Sequence, residues 1–160
     1  MVFAIIAVFS SDERGIGMTD KHFLRGMATV NLWADDVRAA RDWYAKLLGI
    51  KAYFQNPNAE FPAYVEFRIG DYQGEFGIVD RKYAPKGTQP GPGGVVLYWH
   101  VDDVGTALEQ LKAVGAKEYE PITKRGESGF ITASVIDPFG NILGIMQNPH
   151  YVEVLHSHTP

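Results

Sequence analysis

The sequence predicts an α+β fold made of two βαβββ modules, and three observations support this. Short segments alternate between apolar and polar residues, as half-buried strands do. Two longer segments carry apolar residues three and four positions apart, as amphipathic helices do. The order of one strand, one helix and three strands occurs twice. We therefore expect paired modules that form a curved mixed sheet with a concave pocket and with the helices outside.

The first module is predicted to span residues 27–80. Alternating polarity over residues 28–34 predicts its first strand. Asp35 and Asp36 then introduce a helix, at the end where negative charge is favourable, and Gly49 is a typical helix stop. Three further strands are predicted at residues 51–54, 64–69 and 75–79, separated by turn signals.

A segment rich in proline and glycine, residues 81–94, is predicted to be a linker, because neither a helix nor an interior strand can continue through it. The second module is predicted to span residues 95–148. Its predicted elements are a strand at 95–101, a helix at 103–114 that Gly115 closes, and strands at 117–122, 130–136 and 142–147. Residues 1–26 are left as an N-terminal extension and residues 149–160 as a C-terminal tail.

The repeat is also visible in the residues themselves. Ala34-Asp35-Asp36-Val37 matches Val101-Asp102-Asp103-Val104, an offset of 67 residues. This offset is too long for a solenoid repeat and too short for two independent domains. Two modules within one domain is the economical interpretation.

Composition excludes several classes of protein. The 160 residues carry a net charge of −4 with no basic block, which argues against a nucleic-acid partner. There is no cysteine, which excludes disulfides, cysteine–zinc sites and thiolate nucleophiles, and is compatible with the cytoplasmic location that we expect. The apolar run at residues 2–9 is too short to span a membrane, so no membrane partner is expected.

Two motifs resemble those of the vicinal oxygen chelate superfamily, which contains glyoxalase I, extradiol dioxygenases and the bleomycin-resistance binding proteins. The resemblance covers about residues 27 to 148. The matching residues are Asp36, Trp43-Tyr44 and Leu47-Leu48-Gly49-Ile50 in the first module, and Asp137-Pro138-Phe139-Gly140-Asn141 in the second. Each motif also has a structural interpretation: Asp36 caps the helix, Trp43 and Tyr44 pack it on the sheet, and the segment from Asp137 forms a turn.

The resemblance implies four metal-ligand positions, which in the family are mainly His and Glu. Carried over by their distance from the shared motifs, they fall at Thr29, at Gly77 or Glu75, at Val96 and at Gly144. Divalent metals prefer imidazole, carboxylate or thiolate donors, and three of these positions have none. We therefore expect no metal and no cofactor.

The concave face is expected to bind a ligand instead. Strand periodicity places a mixed set of aromatic and polar residues there: Asn31, Trp33, Glu75, Tyr98, His100 and Met146. Tyr64, Glu66 and Arg68 are further candidates on a neighbouring strand. Gly77 and Gly144 are expected to leave space for the ligand. No catalytic residue is assigned, but His100 and Glu75 are the candidates for acid–base chemistry.

The resemblance and these residues together predict a glyoxalase/bleomycin-resistance-like protein that binds a small hydrophobic or aromatic molecule without a metal, as a sequestration or resistance protein. One alternative is a lyase, isomerase or dioxygenase of the same superfamily, with relocated metal ligands or with His100 as the acid–base group. A further alternative is an interaction protein without a pocket. The resemblance also implies a homodimer.

Overall fold

Two four-stranded mixed sheets, each packed against one helix, form the fold of this chain in a computed structural model that describes residues 27–87 and 91–157. The elements are β1 (Thr29–Ala34), α1 (Val37–Leu48), β2 (Phe54–Asn56), β3 (Tyr64–Ile69), β4 (Gly74–Asp80), β5 (Leu97–His100), α2 (Val104–Ala113), β6 (Lys117–Arg125), β7 (Phe130–Ile136), β8 (Ile142–Gln147) and α3 (Pro149–Ser157). None of the helices in these two ranges is long and apolar enough to cross a bilayer.

Both sheets have the same topology, which confirms the repeated βαβββ module. The first has the strand order β1-β4-β3-β2 and the second the order β5-β8-β7-β6. In each sheet the first strand of the module runs parallel to the last, and the other neighbours are antiparallel. Parallel strands need a long crossover connection, and in each module the connection between the first strand and the last contains the helix.

Local sequence signals determine where the two main helices begin. The Asp36 carboxylate accepts a hydrogen bond from the Ala39 N–H at 2.9 Å, and Asp103 accepts one from the Thr106 N–H at 2.6 Å. Each carboxylate satisfies a backbone donor that the first helical turn leaves without a partner. Gly49 ends α1 in the left-handed conformation, which a residue without a Cβ adopts most easily.

The core lies between the sheets and helices α1 and α2. Alternate strand residues point toward the helices and are buried, and the largest of them in the first sheet are Phe67, Phe76 and Ile78. Val135, Leu143 and Ile145 take the corresponding places in the second sheet. We call the opposite side of the two sheets the open face; it carries the candidate functional residues.

Helix α1 connects the two modules through polar contacts as well as packing. The Tyr44 hydroxyl donates to the buried Asp137 carboxylate at 2.6 Å, and the Trp43 indole N–H donates to the Val114 carbonyl at 2.7 Å. Asn141 adds two hydrogen bonds to the backbone of Trp33. Burial of Tyr44 and the negative charge of Asp137 raise the pKa of the Tyr44 phenol well above its ordinary value, so the phenol stays a donor.

Several predicted boundaries differ from the structure by one or two residues, as in β5, which is Leu97–His100 instead of 95–101. The predicted linker was expected to hold no helix, but it begins with one turn of 3-10 helix, Arg81–Tyr83, which ends before Pro85.

Three differences are larger. The second strand is Phe54–Asn56 instead of 51–54, because only these residues lie in register opposite β3. The strand expected at 117–122 continues to Arg125. The C-terminal tail contains helix α3, which the sequence reading left without an element. The N-terminal extension, residues 1–26, lies outside the described residues.

Candidate functional site

Strand pairing on the open face shows which of the predicted site residues are neighbours. In the first sheet Thr29 lies opposite Glu75, and Asn31 lies opposite Gly77. In the second sheet Tyr98 lies opposite Gly144, and His100 lies opposite Met146. Each sheet therefore brings some of the predicted residues together on its own open face.

The expectation that Gly77 and Gly144 leave space for a ligand is wrong, because neighbouring side chains occupy the space beside each glycine. A Cβ on Gly144 would lie 2.6 Å from the Tyr98 ring, which already covers this glycine. A Cβ on Gly77 would overlap the Asn31 amide and lie 2.7 Å from the Tyr64 ring. These glycines accommodate side chains from neighbouring strands, a choice of rotamer that strand periodicity does not specify.

A hydrogen-bonded group on the first sheet, which we call the carboxylate network, consists of Tyr53, Tyr64, Glu66, Arg68 and Glu75. Both phenols donate to Glu66, at 2.5 Å from Tyr53 and 2.7 Å from Tyr64. Arg68 forms an ion pair with Glu75 at 2.9 Å, and its guanidinium also lies over the Tyr53 ring. The network therefore holds two carboxylates, one guanidinium and two phenol donors in one place.

The pKa values of the network keep the phenols protonated. The hydrogen bond to Glu66, with smaller contributions from burial and nearby charge, raises the pKa of Tyr53 to about 12. Burial and then the hydrogen bond to Glu66 raise the pKa of Tyr64 as well. Partial burial opposes ionisation of Glu66, but the two phenol hydrogen bonds and the Arg68 charge outweigh it and lower the pKa of that carboxyl. At neutral pH Glu66 is thus a charged acceptor whose hydrogen bonds are already supplied by the protein.

Glu75 also belongs to a cavity between the two modules, which we call the strand-start cavity because β1, β4 and β5 begin there. Its volume is about 200 Å³. The lining residues with polar groups in their side chains are Thr29, Glu75, Tyr98 and Trp99, and the others are apolar residues or glycine. The lining residues are Met27, Ala28, Thr29, Val30, Ile69, Gly74, Glu75, Phe76, Leu97, Tyr98 and Trp99.

The other predicted ligand-binding residues do not converge on this cavity. Asn31 and Trp33 line a separate cavity of about 290 Å³ beside the linker. Met146 lies near Asn148, whose side-chain amide is 3.9 Å from the Met146 sulfur. Among the six predicted residues, only Glu75 and Tyr98 line the strand-start cavity.

His100 lies beneath helix α3. Its imidazole stacks on the Tyr151 ring, with 4.4 Å between ring centroids, and its side chain is 16% exposed. Nδ1 accepts a hydrogen bond from the Asn148 backbone N–H at 3.3 Å, which places the proton of the neutral ring on Nε2. Tyr151 in turn donates to Asp71 in the first module at 2.9 Å. His100 therefore helps to hold helix α3 in place, and its Nδ1 is already occupied by a hydrogen bond.

The residues at the four metal positions implied by the resemblance do not fit a divalent ion. Thr29, Val96 and Gly144 contribute no imidazole or carboxylate, and the space beside Gly144 is taken by Tyr98. Glu75 brings one carboxylate, which is already paired with Arg68. No group of three or more His, Asp or Glu side chains suited to a metal occurs within residues 27–87 and 91–157.

Three residues that matter for these sites were missed by the sequence reasoning. Tyr53 lies just before a short edge strand, and Tyr151 lies in the tail, where no periodic pattern was identified. Trp99 was assigned only to the packing beneath the helices, yet it lines the strand-start cavity. In all three cases the decisive contact joins residues far apart in sequence, which local patterns do not reveal.

Comparison with known proteins gives a consistent answer on the fold. Residues 26–145 match the family model described as the Glyoxalase/Bleomycin resistance protein/Dioxygenase superfamily. No curated protein matches the sequence significantly. Many solved structures resemble the chain, and three of them illustrate the range.

A glyoxalase-related enzyme from Fulvimarina pelagi has a TM-score of 0.62 and 22% identity, with 79% of this chain and 90% of that one covered. A superfamily member from Sphaerobacter thermophilus has a TM-score of 0.61 and 20% identity, with coverage of 77% and 97%. A lactoylglutathione lyase from Agrobacterium tumefaciens has a TM-score of 0.59 and 18% identity, with coverage of 79% and 96%. At these identities the likeness concerns the fold alone.

Proposed function

We propose, from the premise that this chain belongs to the Glyoxalase/Bleomycin resistance protein/Dioxygenase superfamily, that it binds a small hydrophobic or aromatic molecule without a metal ion, as a sequestration or resistance protein does. One observation carries the proposal. Of the four positions at which the family holds its metal, only Glu75 offers a preferred donor, and Glu75 is paired with Arg68. The proposal retains the homodimer and the cytoplasmic location expected from the sequence.

The strand-start cavity is the binding site in this proposal. An apolar lining with a few fixed polar groups is typical of small-molecule pockets. Its volume of about 200 Å³ suits one aromatic ring with a short substituent. The ion pair with Arg68 holds the Glu75 carboxylate in place, so binding requires little rearrangement there. Glu75 would accept a hydrogen bond from a hydroxyl or amine on the ligand.

The enzymatic alternative has less support. His100 is covered by Tyr151 and uses Nδ1 as an acceptor for Asn148, so acid–base work would require α3 to move. The lactoylglutathione lyase named above is similar in fold only. As to relocated metal ligands, Glu66 is the other carboxylate of the network that contains Glu75, but it already accepts hydrogen bonds from Tyr53 and Tyr64, and Glu75 is paired with Arg68. Two carboxylates are also fewer than the three protein ligands typical of a catalytic zinc site.

Benzyl alcohol is a suitable probe, because its ring fits the cavity and its hydroxyl can donate to Glu75. We expect saturable binding in chemical-shift titrations, with the same Kd in EDTA and in added Zn²⁺. Glu75→Gln should weaken binding about tenfold, because a hydrogen bond to a charged group contributes roughly 1.5 to 3 kcal/mol.

Glu109→Gln is the matched control, since Glu109 is an exposed carboxylate on α2 that pairs with Lys112. It should leave the Kd for benzyl alcohol unchanged. Binding that appears only with Zn²⁺, or equal affinity in the Glu75→Gln and Glu109→Gln variants, would contradict the proposal, as would the absence of saturable binding.

A further inference from the structure

Tyr151, in the C-terminal helix α3, contacts both modules. Its ring stacks on His100 of the second module, with 4.4 Å between ring centroids. Its hydroxyl donates to the Asp71 carboxylate of the first module at 2.9 Å, and its ring lies edge-on to Tyr72 at 5.7 Å. Burial and the hydrogen bond to Asp71 raise the pKa of the Tyr151 phenol to about 12, so it stays a donor at neutral pH. Tyr151 therefore joins the two modules, and we call its contacts with Asp71 and His100 the clasp.

The residues joined by the clasp adjoin the two walls of the strand-start cavity. His100 ends β5, and the three residues before it on this strand line the cavity. Asp71 lies in the turn between β3 and β4, and the residues at the two ends of this turn, Ile69 and Gly74, line the cavity from the first module. Because α3 follows β8 directly in the chain, Tyr151 belongs with the wall of the second module. The hydrogen bond to Asp71 is thus the contact of the clasp that crosses from one wall to the other.

A different set of contacts joins the modules at the far end of β1. There Asn141 makes two hydrogen bonds with the backbone of Trp33. The strand-start cavity lies at the beginning of the same strand, where Phe76 also packs edge-on against Trp99, with 5.3 Å between ring centroids. Parting the walls of the cavity therefore requires the clasp to open, whereas the contacts at Trp33 can persist.

We propose that the clasp sets the upper size limit of the ligand in the strand-start cavity, which makes Tyr151 a specificity-determining residue. This inference rests on the function proposed above, because it concerns the same site. A molecule with one aromatic ring fits a cavity of about 200 Å³ while the walls stay together. A molecule with two fused rings must part the walls, and its affinity is lowered by the cost of breaking the hydrogen bond to Asp71.

Benzyl alcohol and 1-naphthalenemethanol are the probes, because they carry the same hydroxymethyl group on one ring and on two fused rings. Each is titrated into the full-length protein, and its Kd is measured from chemical shifts. Tyr151→Phe removes the hydrogen bond to Asp71 but keeps a ring against His100. It should shift the ratio of the two Kd values about fivefold in favour of 1-naphthalenemethanol, because a typical hydrogen bond no longer has to break. A merely structural role of Tyr151 would weaken both alcohols alike and leave this ratio unchanged.

Asp71→Ala removes the same hydrogen bond from the other wall and should shift the ratio by the same factor. The double variant should shift it no further than either single variant, because all three lack one and the same interaction. Tyr119→Phe is the matched control, since Tyr119 is a half-exposed tyrosine on β6, and it should leave the ratio unchanged.

The outcomes separate this inference from the proposed function. If benzyl alcohol binds the wild type but the ratio is the same in Tyr151→Phe, the inference is overturned and the proposed function stands. Shifts that add up in the double variant, or an equal shift in Tyr119→Phe, also overturn the inference, because the hydrogen bond is then not the cause. In Tyr151→Phe the two alcohols should compete for one site, and independent binding of both contradicts the inference as well. No saturable binding of benzyl alcohol to the wild type overturns the inference and the proposed function together.

Discussion

Replacing Asp137 with alanine is expected to lower the free energy of unfolding by about 3 to 5 kcal/mol. The side chain is buried, and its carboxylate accepts hydrogen bonds from Tyr44, from the backbone N–H groups of Phe139 and Asn141, and from the Asn141 amide. Alanine would leave these donors without an acceptor in and around the core. The interaction between the modules would weaken at the same time, because Tyr44 belongs to the first module and Asp137 to the second.

Urea unfolding at neutral pH measures this effect. Asp137→Asn keeps one acceptor oxygen and should lose less stability, and Tyr44→Phe should lose about 1 to 2 kcal/mol, since it removes one hydrogen bond of the set. Asp42→Ala is the surface control, because the Asp42 side chain is 64% exposed, and it should change stability by less than about 0.5 kcal/mol. A loss in Asp137→Ala no larger than in Asp42→Ala would show that this network does not stabilise the protein.

Replacing Gly144 with alanine is expected to cost about 1 to 3 kcal/mol of stability, because the new methyl group would overlap the Tyr98 ring. The ring atoms involved include Cγ and Cδ1, which are close to the backbone and cannot move away easily. The backbone of Gly144 is not in the left-handed region, so the ring alone accounts for the cost.

Gly74→Ala is the matched control. Its nearest heavy atom, the Ile69 carbonyl oxygen, would be 3.9 Å away, so the substitution should be nearly neutral. Removing the ring tests the cause: Tyr98→Ala should cost less in the Gly144→Ala background than in the wild type, because it relieves the overlap. Equal stability of Gly144→Ala and Gly74→Ala would show that Tyr98 does not cover Gly144.

The fold was predictable because its main signals are local. Asp36 and Asp103 lie 67 positions apart and cap matching helices. The cap at Asp36 was expected, whereas Asp103 was expected to be the first residue of its helix. The alternation within each strand also separated the buried side, with residues such as Phe76, from the open face. These features depend on residues that are close together in the sequence, so local patterns are enough to predict them.

The arrangement within the site was less predictable, because it depends on rotamers and on distant contacts. Glu75 and Tyr98 were placed on the expected face, but periodicity could not show that Tyr98 covers Gly144 or that Glu75 pairs with Arg68. The stacking of His100 on Tyr151 requires a helix that no sequence pattern had indicated. The resemblance placed Asp137 in a turn but did not reveal its contact with Tyr44, 93 residues away.

Metal content per chain tests the central claim, binding without a metal, most directly. The full-length protein would be purified without an affinity tag and analysed after mild chelation. His156→Gln and His158→Gln would remove two closely spaced histidines as a source of adventitious metal binding. We predict far less than one divalent ion per chain in a folded protein that still binds benzyl alcohol. One tightly held ion per chain, with benzyl alcohol binding lost when the ion is removed, would contradict the account and make relocated ligands near Glu75 and His100 the leading explanation.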